Sequence, residues 1–464
     1  MASSLLKRKS IEIDMTKGPL VPKIFLFAIP LAISFILQFF YHSADLAIVG
    51  QFAKNPQLSL ASVGMSAPVN SLVINLFLGL SLGTNIVISR HIGEKDHLKV
   101  ENAVHTSILL ALFVGIFGAT LGFIVAKPLL MLMGCSGELL NLSSAYLKIT
   151  FLGIPFLLIY NFCSSISQAK GNSITPLIYL GLSGILNVLL NLLFVIVFKL
   201  DVVGVALATI ISQGISAILM LFTLVFSKDY TRVNFKKLKI DKQELLDILS
   251  VGIPSGIQGI TFSITNILAR IYILKLGEVY VSGQTIYVSL SEFPMAITTS
   301  LLRTSVAFTS QNYGAKNYKF IRKVELTILL ICMLLVSVCS ILFMVFRFYL
   351  FSIYTTAPEV IKVADLCFKV CVPYLFLWGL SEVSIGCSKG LNSKKVPMFI
   401  SLIGICGFRI LYLLFYFPIN SSYTILIIVY PLSWAITSIA QTIWFEIKYK
   451  KIKKSSIKGE VYVQ

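Results

Sequence analysis

The chain has 464 residues, of which 56% are hydrophobic and only 13% charged, and its mean hydropathy is +0.87. Soluble domains carry about 25% charged residues, so this balance excludes an ordinary soluble protein and predicts an all-α chain that crosses a membrane many times. A net charge of +19 would suggest a nucleic-acid partner in a soluble protein; here the cations sort by topology, and the lipid bilayer, not nucleic acid, is the expected partner.

Apolar runs long enough to span begin near residues 24, 58, 101, 139, 174, 203, 244, 280, 324, 359, 396 and 423, which predicts twelve transmembrane helices. The first run is too long for a secretory leader and continues into a second span. An even count places both termini on one side. Of the 39 Lys and Arg, 28 fall in the termini and the loops on that side, eight on the opposite side and three within spans. The positive-inside rule therefore puts both termini in the cytoplasm. The basic stretch 448–458, KYKKIKKSSIK, fits either attraction to anionic lipid or a solvated, orientation-setting tail. The eight cysteines are scattered through apolar runs with no His cluster beside them, which reads as packing rather than metal binding.

The first span holds one carboxylate, Asp45, with no Lys or Arg between Lys23 and Lys54 to neutralise it. An acid at membrane depth is costly and usually faces a cavity or a partner. Gln38, Tyr41 and Asp45 share one helical stripe, and Pro30 removes a backbone bond and bends the helix. A bent helix with a polar stripe and a lone acid reads as the moving part of a transporter; the alternative is an Asp bonded for packing alone.

In the fifth span Asn187 and Asn191 lie one turn apart, as do Thr209 and Gln213 in the sixth. Counted from the span ends, Asp45, Asn187, Asn191 and Thr209 all fall in the outer half of the first six helices. One carboxylate, two amides and a hydroxyl make a hard oxygen set suited to a proton or to a monovalent metal ion such as Na+. The competing reading is interhelical hydrogen bonding worth about 0.6 kcal/mol per bond.

The halves repeat in order. AIP at 28–30 recurs as GIP at 252–254, SRHIGEKDH at 89–97 as SQNYGAKNY at 310–318, AKGNSITP at 169–176 as SKGLNSKKVP at 388–397, and Pro155 as Pro373. This divides the chain into an N-terminal six-helix lobe (1–227), a linker (228–242) and a C-terminal six-helix lobe with a basic tail (243–464). Two pseudo-symmetric lobes of equal orientation are expected to flank a cleft that opens alternately to either side. Pro30 and Pro254 are the expected hinges.

The second lobe carries a different set of intramembrane charges: Arg270, Glu292, Arg303, Glu382 and Arg409. Glu292 and Glu382 are candidates to accept a cationic substrate, with Arg270 or Arg409 as counter-ion; Tyr287, Phe293, Tyr374 and Trp378 could supply aromatic surface. Structural ion pairs are the alternative.

With the proline-bearing spans, the first-span Asp, GNSITP, the Asn-rich fifth span and GVALAT, the chain resembles the multidrug and toxic-compound extrusion (MATE) family over nearly its whole length. The resemblance implies antiport of drugs and other toxic compounds, mostly amphipathic cations, against H+ or Na+ in a bacterial inner membrane, as a multi-pass protein functional as a monomer. It implies that Asp45 is the ion-binding acid, with Asn187, Asn191 and Thr209 as its neighbours, that Gln38, Tyr41 and Asn161 line a substrate cavity, and that Pro30 marks the bend. Two departures stand out. Asn191 replaces a carboxylate found in some members, leaving one acid in the site, and the seventh span reads GITFSIT at 259–265 where another branch has a Glu. No cofactor is expected beyond the transported H+ or Na+. No phosphate-cradling loop or nucleophile–base set is present, so neither an enzyme nor direct use of ATP is expected. The alternative is a lipid-linked oligosaccharide flippase of a related two-lobed family; its phosphates would call for a basic cavity, which the arginines of the second lobe keep open.

Overall fold

The computed structural model describes residues 12–419 and 422–457. Twelve helical segments follow one another: α1 Leu20–Phe52, α2 Pro56–Glu94, α3 His97–Leu132, α4 in two pieces (Gly137–Leu152 and Ile154–Ala169), α5 Ile174–Leu192, α6 Asp201–Val225, α7 Lys242–Leu276, α8 Glu278–Gly314, α9 Tyr318–Ser352, α10 in two pieces (Pro358–Cys371 and Leu375–Gly390), α11 Val396–Ile419 and α12 Tyr423–Ile457. Among the described residues, nine are long and apolar enough to cross a membrane as they stand, and the two pieces of α4 make a tenth. The other two are α8, the least apolar of the long helices, and α10, whose pieces are each too short alone.

Local chemistry sets the ends and breaks. Asn55 caps α2, accepting from the Leu58 amide at 3.3 Å, and Pro56 follows where its missing N–H costs nothing. Asp96 caps α3 through the Lys99 amide at 3.1 Å. Pro30 interrupts the α1 ladder, and Ser34 Oγ donates to the Pro30 carbonyl at 2.8 Å, a back-bond that favours bending at the same point. The pieces of α4 meet at 42° around Gly153, just before Pro155. α10 is broken by a tight turn over Val372–Tyr374 that holds Pro373, the repeat partner of Pro155. Both were expected as single runs; the repeat prolines break them. α5 ends in a wide turn over Leu193–Val197, and α11 contains two such turns.

The outer faces are apolar, the reverse of a soluble bundle. On α9, Leu330, Leu334, Ile341 and Val345 are all more than 60% exposed and fall on one helical stripe, whereas the interior holds Ser, Thr, Asn and Gln side chains. This is how a helix packs when lipid replaces water outside. The chain is a multi-pass membrane protein.

Contacts divide the chain into two compact units, the first ending at Gly256 and the second beginning at Ile257. The division falls inside α7 because the start of that helix packs backbone to backbone on α2. A Cβ on Gly79 would stand 2.3 Å from the Gly256 nitrogen, and one on Gly83 would stand 2.5 Å from the Ile248 carbonyl oxygen. Close approach of this kind is the usual use of small residues between membrane helices. Charges reinforce the packing. Buried His91 bonds Glu94 through Nδ1 and Glu244 through Nε2, each at 2.9 Å, and Arg90 pairs with Asp247 at 2.7 Å.

The segment joining α6 to α7 is pinned at the same end. His105 Nε2 accepts from the Asn234 amide at 3.1 Å, and Thr106 Oγ1 accepts from the Asp241 amide at 2.9 Å. Lys170 bridges Asp229 at 2.8 Å and Glu12 at 3.1 Å. Burial would raise the Asp229 carboxyl, but Lys170 and Thr231 outweigh it and hold it below its ordinary value. Burial alone would lower the Lys170 ammonium, but Asp229 and Glu12 raise it.

Candidate functional site

The first unit assembles its site by bringing α1 against α5. Gly184 makes this possible: a Cβ there would stand 1.7 Å from the Tyr41 ring. The Tyr41 hydroxyl donates to the Leu180 carbonyl, fixing the two helices one turn before the acid. Asp45 is then 4% exposed, beside Asn187 at 3% and Asn191 at 0%.

The four residues form one bonded group. Asn191 Nδ2 donates to Asp45 Oδ1 at 2.6 Å and to Asn187 Oδ1 at 3.2 Å. Asn187 Nδ2 reaches Thr209 Oγ1 at 3.4 Å. Thr209 Oγ1 lies 3.5 Å from Asp45 Oδ2 and 3.0 Å from its own Val205 carbonyl; its one proton goes to the nearer acceptor. Asp45 Oδ2 is therefore left with only a distant hydroxyl. Among the described residues no Lys or Arg pairs with Asp45. Asn191 Oδ1 is buried with no hydrogen-bond partner. An apolar cluster that includes Ile48, Val49, Tyr146, Val195 and Val205 packs one turn beyond the acid and its amides.

This arrangement can accept a single positive charge in two ways. A proton on Oδ2 makes the carboxyl a donor toward the Thr209 oxygen while Asn191 keeps its bond to Oδ1. A small hard cation would be met by both carboxylate oxygens, the Thr209 hydroxyl and the amide oxygens of Asn187 and Asn191, the last by turning its amide.

The remaining residues of the first unit read from sequence lie apart from this group. Gln38 is exposed on α1. Asn161 is half-buried and returns its Nδ2 to the Leu157 carbonyl of its own helix at 2.8 Å.

The second unit holds a cavity of about 380 Å³, lined by Arg270, Tyr287, Glu292, Trp378 and Arg409 among others. Arg409 is 5% exposed; its Nε donates to Ser433 Oγ at 3.0 Å, and its guanidinium lies 4.5 Å from the Tyr430 ring centroid. Phe262, Trp378 and Trp434 form an aromatic wall with centroids 6.0 and 6.5 Å apart. Neither arginine nor Glu292 makes an ion pair among the described residues.

Glu382 is not in this lining. It is 8% exposed on the second piece of α10, in the field of Lys389, which is 4% exposed and reaches Gln258 Oε1 at 3.4 Å. Phe293 packs edge-on to Phe343, Tyr374 is 46% exposed, and neither lines the cavity. Sequence reasoning did not single out Gly184, Tyr430, Ser433 or Trp434. A signal existed for Trp434, one of only three tryptophans in the chain; for Gly184 there was none without knowing which helix faces it.

Comparison with known proteins agrees with this architecture. The family model MatE matches residues 30–193 and 254–415, one copy in each half. The multidrug export protein MepA of Staphylococcus aureus (strain MSSA476) is 25% identical over 370 residues, covering 80% of this chain and 81% of that protein. Its counterpart in Staphylococcus saprophyticus is 23% identical over 360 residues, 78% and 79% of the two chains. Among solved structures, an outward-facing multidrug-resistance MATE transporter of the MOP superfamily superposes with a TM-score of 0.86 at 20% identity, over 96% of this chain and 98% of that one. A MOP-superfamily transporter from Pyrococcus furiosus, whose binding pocket is described as reversed in polarity, superposes at 0.88 with 21% identity, over 96% and 99%. With both halves matched, the two-lobed helical fold shared and a lone acid buried in the first lobe, the chain belongs to the MatE family of multidrug and toxic-compound extrusion transporters.

Proposed function

We propose that the protein is a cation-coupled antiporter that exports amphipathic, mostly cationic compounds by alternating access, working as a monomer with both termini in the cytoplasm. The observation that carries this reading is Asp45: a carboxylate 4% exposed in a membrane helix, bonded by a neutral amide and a distant hydroxyl, with no cation beside it among the described residues. An acid so placed is stable in either of two ways, by taking up a proton or by binding a small cation.

Loading neutralises the site, and unloading restores a charge that must be rehydrated or re-paired. Asp45 rides on α1 beyond Pro30 and is fixed to α5 through Asn191. A change in its charge therefore alters the balance between α1 held straight on α5 and α1 bent away from it. Coupling follows if the two conformations of the transporter differ in affinity for the ion, since only that difference can shift their populations. Substrate and ion then exclude one another by linkage. Relatives named for multidrug export support the export of drugs.

The test is ethidium transport in energised inside-out vesicles under separately imposed proton and sodium gradients, for wild type and Asp45→Asn. Gradient-driven transport lost in a well-inserted mutant supports the antiporter, and the gradient that drives wild type names the ion. A mutant that still transports in response to the gradient overturns it.

A further inference from the structure

The second unit's cavity has the opposite electrostatic character to the Asp45 site. Two guanidinium groups, Arg270 and Arg409, line it against one carboxylate, Glu292, and no ion pair ties any of the three down among the described residues. Arg409 is the firmer anchor. It is 95% buried by its exposure of 5%, one of its five donors goes to Ser433, one face lies against Tyr430, and no carboxylate among the described residues pairs with the rest. A buried cation held in position by a neutral hydroxyl and an aromatic ring, with donors to spare, lacks an anion. The cavity supplies room for one: about 380 Å³ is within the range of small-molecule sites.

We propose that this cavity binds aromatic organic anions: a carboxylate, sulfonate or phosphate on a flat ring system. The guanidiniums take the anionic group, since their planar fork matches such oxygens better than any other side chain. Phe262, Trp378 and Trp434 take the rings by edge and face contacts. Glu292, in the same lining, admits a ligand that also carries a cation, so zwitterions fit the cavity as well as simple acids. The walls decide between two sources of the same anionic group. Aromatic side chains favour a ring system over the acyl chains of an anionic lipid.

Fluorescein, at a pH where it is an anion, and tetramethylrhodamine methyl ester, a cation on the same ring frame, are titrated by fluorescence polarisation into the purified full chain in detergent. Arg270→Gln and Arg409→Gln are expected to weaken fluorescein about tenfold each, and Arg409→Lys to recover part of that loss, while the rhodamine loses nothing in any arginine variant. Should Arg409→Gln fail to elute as a single species, Arg270→Gln carries the test, because Arg270 is exposed. Competition separates the sources: displacement by naphthoate at lower concentration than by dihexanoyl phosphatidylglycerol supports the aromatic acid, and displacement by the phospholipid alone overturns it. Fluorescein affinity unchanged in Arg270→Gln, or equal losses of both dyes, overturns the proposal altogether.

Discussion

The two lobes are built on one template and carry different buried charges. Counted from Pro254 as Asp45 is counted from Pro30, the equivalent of Asp45 is Ala269, which is 2% exposed. The inward position survives but the acid is gone, and the next residue, Arg270, lines the cavity instead. The first lobe thus keeps a buried acid with no cation paired to it among the described residues, and the cavity of the second holds two arginines against one carboxylate. The ends of α2 and α8 differ in the same manner. Arg90 and His91 of the first copy bind Asp247 and Glu244, whereas the second copy has Gln311 and Asn312 at those places, and Asn312 returns to the Phe308 carbonyl of its own helix at 2.8 Å. A repeat conserves which positions face inward because packing demands it; what is placed there is free to diverge.

The largest expected effect comes from making the first lobe like the second. Asp45→Ala should lower gradient-driven export at least about a hundredfold, because the two conformations then lose their difference in ion affinity. Adding Ala269→Asp should not restore it, since the new acid would stand beside Arg270. Recovery of export in that double variant would break the comparison.

Next is the contact that seats the acid. Gly184→Ala forces the Tyr41 ring away and should cost about 1–3 kcal/mol of stability by overpacking, together with most of the transport. Tyr41→Ala in the same chain should recover part of the stability, read as thermal unfolding in detergent. Additive losses would mean that Gly184 and Tyr41 do not act as one contact.

The helix ends give a smaller, graded contrast. His91→Ala strands the buried Glu244 and should cost about 2 kcal/mol, whereas Asn312→Ala takes away a neutral amide, its bond to the Phe308 carbonyl included, and should cost about 1 kcal/mol. Equal losses would erase the distinction between the charged and neutral copies.

The smallest effect is at Lys170. Its raised ammonium contributes stability that is lost as pH rises through its folded value, above the ordinary 10.5, and the lowered Asp229 carboxyl contributes stability lost as pH falls through its own, below the ordinary 3.8. Protease cleavage of the α6–α7 connection should therefore be flat across the neutral range in wild type and uniformly faster in Lys170→Met, by the few-fold that about 1 kcal/mol allows. A rate that changes steeply near neutral pH would point to another group.

Much of this was legible in the sequence because membrane helices announce themselves by unbroken apolar length, and because the one unneutralised acid of the first span stood out against it. The spacing of Asn187 and Asn191, with depth counted from the span ends, was enough to bring them to Asp45. Glu382 was harder. Charge type alone grouped it with Glu292 as an acid of the second lobe, but α10 restarts at Leu375 after its broken turn, and a restart resets which face each later residue occupies. The wide turns in α11 hide the orientation of Arg409 for the same reason: one extra residue per turn shifts the stripe, and composition carries no trace of it.

The most direct test of the account is a count of the cations released when ethidium binds the purified protein in weakly buffered detergent solution, followed by a proton-sensitive dye and by a sodium electrode. Linkage at one acid predicts about one proton or sodium ion released per ethidium bound by wild type, and none by Asp45→Asn at saturating ethidium. Equal release from the two proteins would contradict Asp45 as the ion's site.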